Sequence, residues 1–327
     1  MISGTVPNAK SVIADSQLTA RCLLCGSREC QPKHFLSSGQ LRRAWALLNV
    51  TFSPDSWPNS ENEQPIYLWK CQNCRFEFSD PNLAGNAFFY QELQAQSSNY
   101  YPDASPEFLR AVRFAKRHSV KQILDVGCGG GAFLNLAKAA GLSTFGVELN
   151  PNAGELARKA GHEVYEVLVS DLIKENEPPQ FDMVTAWQVL EHVSDPVVFL
   201  RECSCLVKTG GYLAIAVPFA DGIFRLCPYD PHQWPPHHVS RWRLRDLKLA
   251  GIRLDLKFVT GGIDVLYGSV GEYFWNLHNR IAPGLGAKSH PGGRWFPKLF
   301  WFLYRKAGLR HIVPNRGPGV YAFYQKT

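Results

Sequence analysis

Apolar residues along this chain fall into short runs separated by glycine-rich or polar turns, and from residue 106 onward the runs alternate with stretches of helical spacing. Residues 106–118 set Phe108, Val112 and Ala115 on one helical face. Ile123, Leu124 and Val126 then form a strand that breaks at glycines 127, 129, 130 and 131. The pattern resumes as a helix through Phe133, Leu134, Leu136 and Ala137, with Gly141 as its C′ residue. Further strands are expected at 144–147, 164–169, 181–186, 212–217, 254–260 and 319–325, with helices at 152–160, 197–206 and 243–250. This alternation predicts an α/β fold, a doubly wound and mostly parallel sheet of seven strands covered by helices on both faces.

Before residue 106 the pattern changes. Residues 41–50 read as a helix and 76–78 as a short strand closed by a turn at Pro81. Phe88, Phe89, Tyr90, Tyr100 and Tyr101 lie among Gln, Ser and Asn, which reads as a connector packing aromatics between domains or covering a ligand pocket. Two domains are therefore expected, 1–105 and 106–327. The second carries an inserted segment at 262–316 in which an aromatic stripe at 295–306 is flanked by cations. That stripe reads as a packed helix, with a membrane surface or lipid-linked acceptor as the alternative.

Composition narrows the class. The 327 residues are 45% hydrophobic, enough for a substantial core, and the formal net charge of +7 is unevenly spread. Between Arg241 and Arg316 there are fourteen Lys and Arg against four acids, which suits an anionic small-molecule substrate or a nucleic acid. The first residues lack a basic segment followed by an apolar one, and no apolar run is long enough to span a membrane, so a cytoplasmic protein is expected. Oligomeric state leaves no signal.

Nine cysteines in such a chain point to metal or free thiols rather than disulfides. Cys22 with Cys25 and Cys71 with Cys74 are two C-x-x-C pairs separated by residues 26–70, a spacing at which four thiolates reach one structural zinc. The insertion between the pairs must fold outward, and Cys30 has no assigned part.

The strand–glycine–helix segment is the second chemical signal. Gly127 and Gly129 let a ligand lie against bare backbone at a helix N-terminus. Asp125, two residues earlier, would repel a pyrophosphate but suits a ligand carrying an ammonium and a sulfonium. Glu148, 23 residues after Asp125 at the end of the next strand, is placed to accept ribose hydroxyls. Gln188, Glu191 and His192 follow the 181–186 strand and so belong at the cleft mouth. The stretch 229–242 is dense in Pro, His and aromatics, as suits an ordered active-site loop, and one of His237 and His238 is expected to face the cleft.

The run Asp125-Val-Gly-Cys-Gly-Gly-Gly131 resembles motif I of the class I S-adenosylmethionine-dependent methyltransferases. Glu191-His192 with Asp195-Pro196 is similar to the signature of a group that includes ubiquinone-biosynthesis O-methyltransferases and enzymes from bacterial polysaccharide clusters. The resemblance covers about residues 70 to 260. It implies a Rossmann-like sheet, S-adenosylmethionine as cofactor and Asp171 near the adenine amino group. In the ubiquinone enzymes an earlier acid and the Glu-His pair are associated with a divalent ion, and this chain departs from them with Gln188 at that earlier position.

The expected function is methyl transfer to a small-molecule acceptor, a sugar or sugar-bearing metabolite, on oxygen or carbon. His192 and His237 are the candidate bases and Glu191 an orienting acid. An RNA methyltransferase and a non-catalytic zinc scaffold are the alternatives.

Overall fold

The computed structural model describes residues 19–57, 65–97, 104–175, 177–264, 276–289 and 317–327. In chain order the first elements are β1 (Cys30–Ser37), α1 (Ser38–Ala46), β2 (Pro65–Cys71), β3 (Glu77–Phe78), α2 (Ala87–Gln96), α3 (Pro106–Arg117), β4 (Gln122–Val126) and α4 (Ala132–Ala139). There follow β5 (Ser143–Val147), α5 (Pro151–Lys159), β6 (Glu163–Tyr165), α6 (Val169–Leu172), β7 (Phe181–Trp187) and α7 (Pro196–Cys205). The chain closes with β8 (Val207–Pro218), β9 (Ser240–Arg241), α8 (Leu244–Arg253), β10 (Leu256–Ile263) and β11 (Gly319–Lys326).

Packing divides the chain into two compact units, neither of them contiguous in sequence. The first comprises 1–97, 218–243 and 263–319; the second comprises 98–217, 244–262 and 320–327.

The second unit is built on a seven-stranded sheet of order β10-β11-β8-β7-β4-β5-β6, in which β4, β5, β6, β7 and β8 pair parallel. Ile123 and Leu124 point to opposite faces of β4, yet both are fully buried. Helices must therefore cover both faces, as the continuous apolar run anticipated. Phe114 of α3 packs on Phe323 of β11 with the rings tilted and 4.4 Å between centroids.

Three of the expected boundaries move. Only 164 and 165 of the expected 164–169 strand fall in β6, because Val167 and Leu168 turn out to solvent and Val169 starts the short α6. The 243–250 helix runs on to Arg253, through a glycine that a helix normally disfavours. Gly251 is needed there, since a Cβ would meet the Tyr324 ring at 2.6 Å. The next strand accordingly starts at Leu256 rather than 254, after Asp255 reverses the chain at φ 54°.

The first unit carries a four-stranded sheet of order β1-β2-β3-β9, with antiparallel pairing throughout. Neither β1 nor β2 was anticipated from the sequence. The helix expected at 41–50 lies at Ser38–Ala46, held by a capping box in which Ser37 and Gln40 satisfy each other's backbone N–H. Trp45 of α1, fully buried, packs against Phe52 and Phe89, and Phe52 stacks on Phe89 at 4.6 Å. Arg243 ties the sheet to the loop that precedes β9, donating to Glu77 and to Asp221, each at 2.8 Å. Tyr100, Tyr101 and the 295–306 stripe lie outside the described residues.

Candidate functional site

The geometry of the second unit starts at the end of β4. Val147 accepts from both Gly127 N (2.7 Å) and Cys128 N (3.1 Å), which folds the turn against β5. Gly127, Gly129 and Gly131 all have positive φ, and Gly131 becomes the N-cap of α4. Val189, in the turn after β7, abuts Gly127 so closely that a Cβ on the glycine would lie 2.6 Å from Val189 Cγ2. Gly127 itself is exposed, leaving bare backbone for a ligand to lie on.

Four carboxylates ring this turn, all buried: Asp125 (2% exposed), Glu148 (8%), Glu107 (5%) and Glu191 (1%). Asp125 accepts from Thr185 Oγ1 at 2.7 Å. Burial, with Glu148 adding like charge, pushes its carboxyl up to about 8. Glu148 accepts from Gly129 N at 2.8 Å and Asn150 N at 2.7 Å, one bond to each oxygen. Burial raises the carboxyl above its ordinary value, while the backbone N–H groups of Asn150, Gly129 and Leu149 act the other way. Glu107, in the first turn of α3, accepts from Gln188 Nε2 at 3.2 Å. Gln188 adopts φ 56°, a conformation rare for residues with a side chain and concentrated at functional sites.

Glu191 Oε1 lies 3.8 Å from His192 Nε2, and burial beside Glu107 pushes the Glu191 carboxyl up to about 8. Among the described residues neither Asp125, Glu148 nor Glu107 has a Lys or Arg partner. So many buried acids without a cation suit a positively charged ligand and oppose a pyrophosphate. The turn amide of Gly129, which a phosphate would need, is already given to Glu148. The donor set thus fits a cofactor bearing a sulfonium, an ammonium and a ribose diol.

Asp171 does not join this ring. It is exposed on α6 and pairs with Lys174 at 2.9 Å. Asp125, Gly127, Gly129, Glu148, Gln188, Glu191 and His192 all belong to the second unit, whereas His237 belongs to the first. His237 is 7% exposed, its Nδ1 lies 3.0 Å from the His232 carbonyl, and its ring stacks on His238 at 4.4 Å. As the carbonyl can only accept, Nδ1 is the donor in this contact.

Sequence reasoning passed over Glu107, whose place after Pro106 reads only as a favourable acid in a first helical turn. It also passed over the hydrogen bond from Thr185 to Asp125. Exposed Leu149 (56%) and Leu168 (53%), at the ends of β5 and before α6, are large apolar side chains on this ligand-binding edge of the sheet.

In the first unit the four predicted cysteines come together, their sulfur atoms all within 4.8 Å of one another. Cys22 and Cys74 Sγ lie 3.5 Å apart, as do those of Cys25 and Cys71. The N–H groups of Cys25 and Cys74 each point at the sulfur three residues earlier. None of the nine cysteines is in a disulfide.

A parallel sheet with an acid-ringed glycine turn at its carboxyl edge defines a site for a cationic nucleoside ligand. Residues 98–260 match the sequence profile of the methyltransferase domain family. The ubiquinone biosynthesis O-methyltransferase of Methylococcus capsulatus is 31% identical over 182 residues, which make up 46% of this chain and 76% of that protein. That of Xanthomonas euvesicatoria pv. vesicatoria is 32% identical over 155 residues, with 41% of this chain and 63% of the relative covered. Among solved structures, a SAM dependent methyltransferase from Archaeoglobus fulgidus aligns over 73% of this chain and 99% of its own, at 17% identity and a TM-score of 0.43. The chain belongs to the S-adenosylmethionine-dependent methyltransferases.

Proposed function

We propose that this enzyme methylates a small-molecule acceptor, a sugar or sugar-bearing metabolite, on oxygen or carbon. The observation that carries the cofactor part of the reading is the burial of Asp125, Glu148 and Glu107 about the glycine turn with no Lys or Arg partner among the described residues. Similarity to O-methyltransferases supports oxygen as the acceptor atom. Sugar rests on the resemblance to polysaccharide-cluster enzymes. When bound, S-adenosylmethionine supplies the electrophilic methyl group. Asp125, Gly127, Gly129, Glu148 and Gln188 hold it, with Asp171 on the solvent side. His192 or His237 takes the acceptor proton, and Glu191 orients His192.

The thiol cluster is assigned a structural zinc, and a reducing, cytoplasmic setting suits nine cysteines that stand outside disulfides. No helix among the described residues is long and apolar enough to cross a membrane.

The deciding experiment incubates the protein with labelled cofactor and three acceptor sets: nucleotide sugars and glycans, phenolic quinol precursors, and RNA. Label in the first set is expected; label only in the second identifies a phenol O-methyltransferase, and label only in RNA, lost at high salt, overturns the small-molecule reading. With the acceptor found, His192→Gln and His237→Gln separate the two bases. The true base should lose about 100-fold or more in kcat.

A pH dependence follows from Asp125. Its carboxyl is raised from 3.8 to about 8, so the apo protein holds a proton there at neutral pH that the unfolded chain has lost. That contribution to stability is complete below 3.8 and is lost as pH rises to about 8. A cation binds the ionised form, so cofactor affinity should rise by up to about ten-fold per pH unit below that value and level off above it. Calorimetric titration in buffers of different ionisation enthalpy should show proton release at pH 7, and Asp125→Asn should abolish it. Affinity independent of pH would remove Asp125 from the cofactor's surroundings.

A further inference from the structure

Asp125 and Glu148 stand at the sheet edge, whereas Glu107 comes to the glycine turn from the first turn of α3. Glu107 is one of the few acids in the chain that is almost fully buried, and it has no cation partner among the described residues. Burying a carboxylate without one is costly unless a ligand supplies the charge.

Its position is set by two contacts within the second unit. Its carboxylate holds the Gln188 side-chain amide, and the next residue, Val189, is the one pressed against Gly127. Its neighbour Phe108 packs on Phe133 of α4 at 5.4 Å and on Trp187 at 6.4 Å. The start of α3 therefore lies over both the start of α4 and the end of β7, the two elements that frame the glycine turn. Trp187, 7% exposed, adds a second sign of a ligand here, because its indole N–H has no acceptor among the described residues.

We propose that Glu107 is a cofactor-binding residue that recognises the sulfonium charge, so that the enzyme prefers S-adenosylmethionine over its uncharged product, S-adenosylhomocysteine. The inference rests on the cofactor reading above. The two cofactor forms differ by one methyl group and one positive charge, and a buried carboxylate beside the sulfur acts only on the charge. Product release is thereby favoured by the chemistry of the step itself: once the methyl group has left, the attraction to Glu107 is gone.

Calorimetric titration of the full chain with each nucleoside, wild type against Glu107→Gln, tests it. The variant keeps the shape and an amide able to bond Gln188. Affinity for S-adenosylmethionine should fall about ten-fold while that for S-adenosylhomocysteine changes less than about two-fold. Equal losses for both ligands would make Glu107 a structural partner of Gln188 and overturn the inference, as would no loss for either. Gln188→Ala, which removes the bond and leaves the charge, should shift both ligands alike. Should Glu107→Gln fail to fold, Glu107→Asp, which withdraws the charge by one methylene, should lose part of the same preference. Failure of the wild type to bind either nucleoside would instead overturn the cofactor reading itself.

Discussion

Gly127→Ala should abolish cofactor binding, lowering affinity by about 100-fold or more while far-UV circular dichroism stays that of the native sheet. Two costs combine at this position. The backbone sits at φ 76°, where a side chain adds about 1–2 kcal/mol, and the new Cβ would lie 2.6 Å from Val189 Cγ2. No relaxation of Val189 is free, because its β-branched side chain is stiff and its turn carries Gln188 toward Glu107. Moving the glycine turn instead breaks the bonds from Gly127 and Cys128 to Val147, and with them the placement of the Gly129 amide on Glu148. Gly130→Ala is the control. A Cβ there meets only Leu156, at 3.9 Å, so the same change three residues along should cost less than about ten-fold. Equal tolerance of the two substitutions in a nucleoside titration would show that the ligand does not lie on this turn.

That contrast bears on what the sequence could disclose. The strand, the glycines, Asp125 and Glu148 were legible because each is fixed by local chemistry: a run buried on both faces, a turn needing positive φ, and an acid at a strand end. The cysteine pairs were legible for the same reason, since a C-x-x-C spacing encodes its own geometry. The failures share a cause as well. Val164 to Val169 reads as a strand, yet Val167 and Leu168 are exposed, and nothing local says that an apolar run will leave its sheet. Residues Cys30 to Ser37 form β1 only because Pro65 to Cys71 lie opposite, a partner fixed by tertiary packing. Glu107 is ordinary in its helix and informative only beside Gln188, which is 81 residues away in the chain. Likewise the loop 218–243, with its histidines, packs in the first unit, although it follows the β8 strand of the second.

Loss of the proposed zinc from the thiol cluster should be the largest perturbation of the first unit. Four thiolates about 2.3 Å from a tetrahedral zinc stand about 3.8 Å apart, and the observed pairs at 3.5 Å within a 4.8 Å cluster are close to that. Cys71 ends β2 and is fully buried, and its register partner across the sheet is Cys30 of β1. Cys22 and Cys25 belong to the turn just before β1, so the metal would clamp both ends of a chain segment whose sheet has only the two-residue strands β3 and β9 on its far side. Without it, four buried or half-buried thiols remain at contact distance with too few apolar neighbours to replace the clamp. The purified protein should carry one zinc per chain by atomic absorption. Cys71→Ser should lose it and cost more than the roughly 2–5 kcal/mol of a single large core truncation. The loss should read out as fast amide exchange in β1 and β2, with exchange in β4 and β7 unchanged. Full occupancy of the glycine-turn site by cofactor in the zinc-free protein would follow if the second unit folds on its own core. A metal-free protein with unchanged melting temperature would overturn the clamp and leave the cysteines as plain thiols.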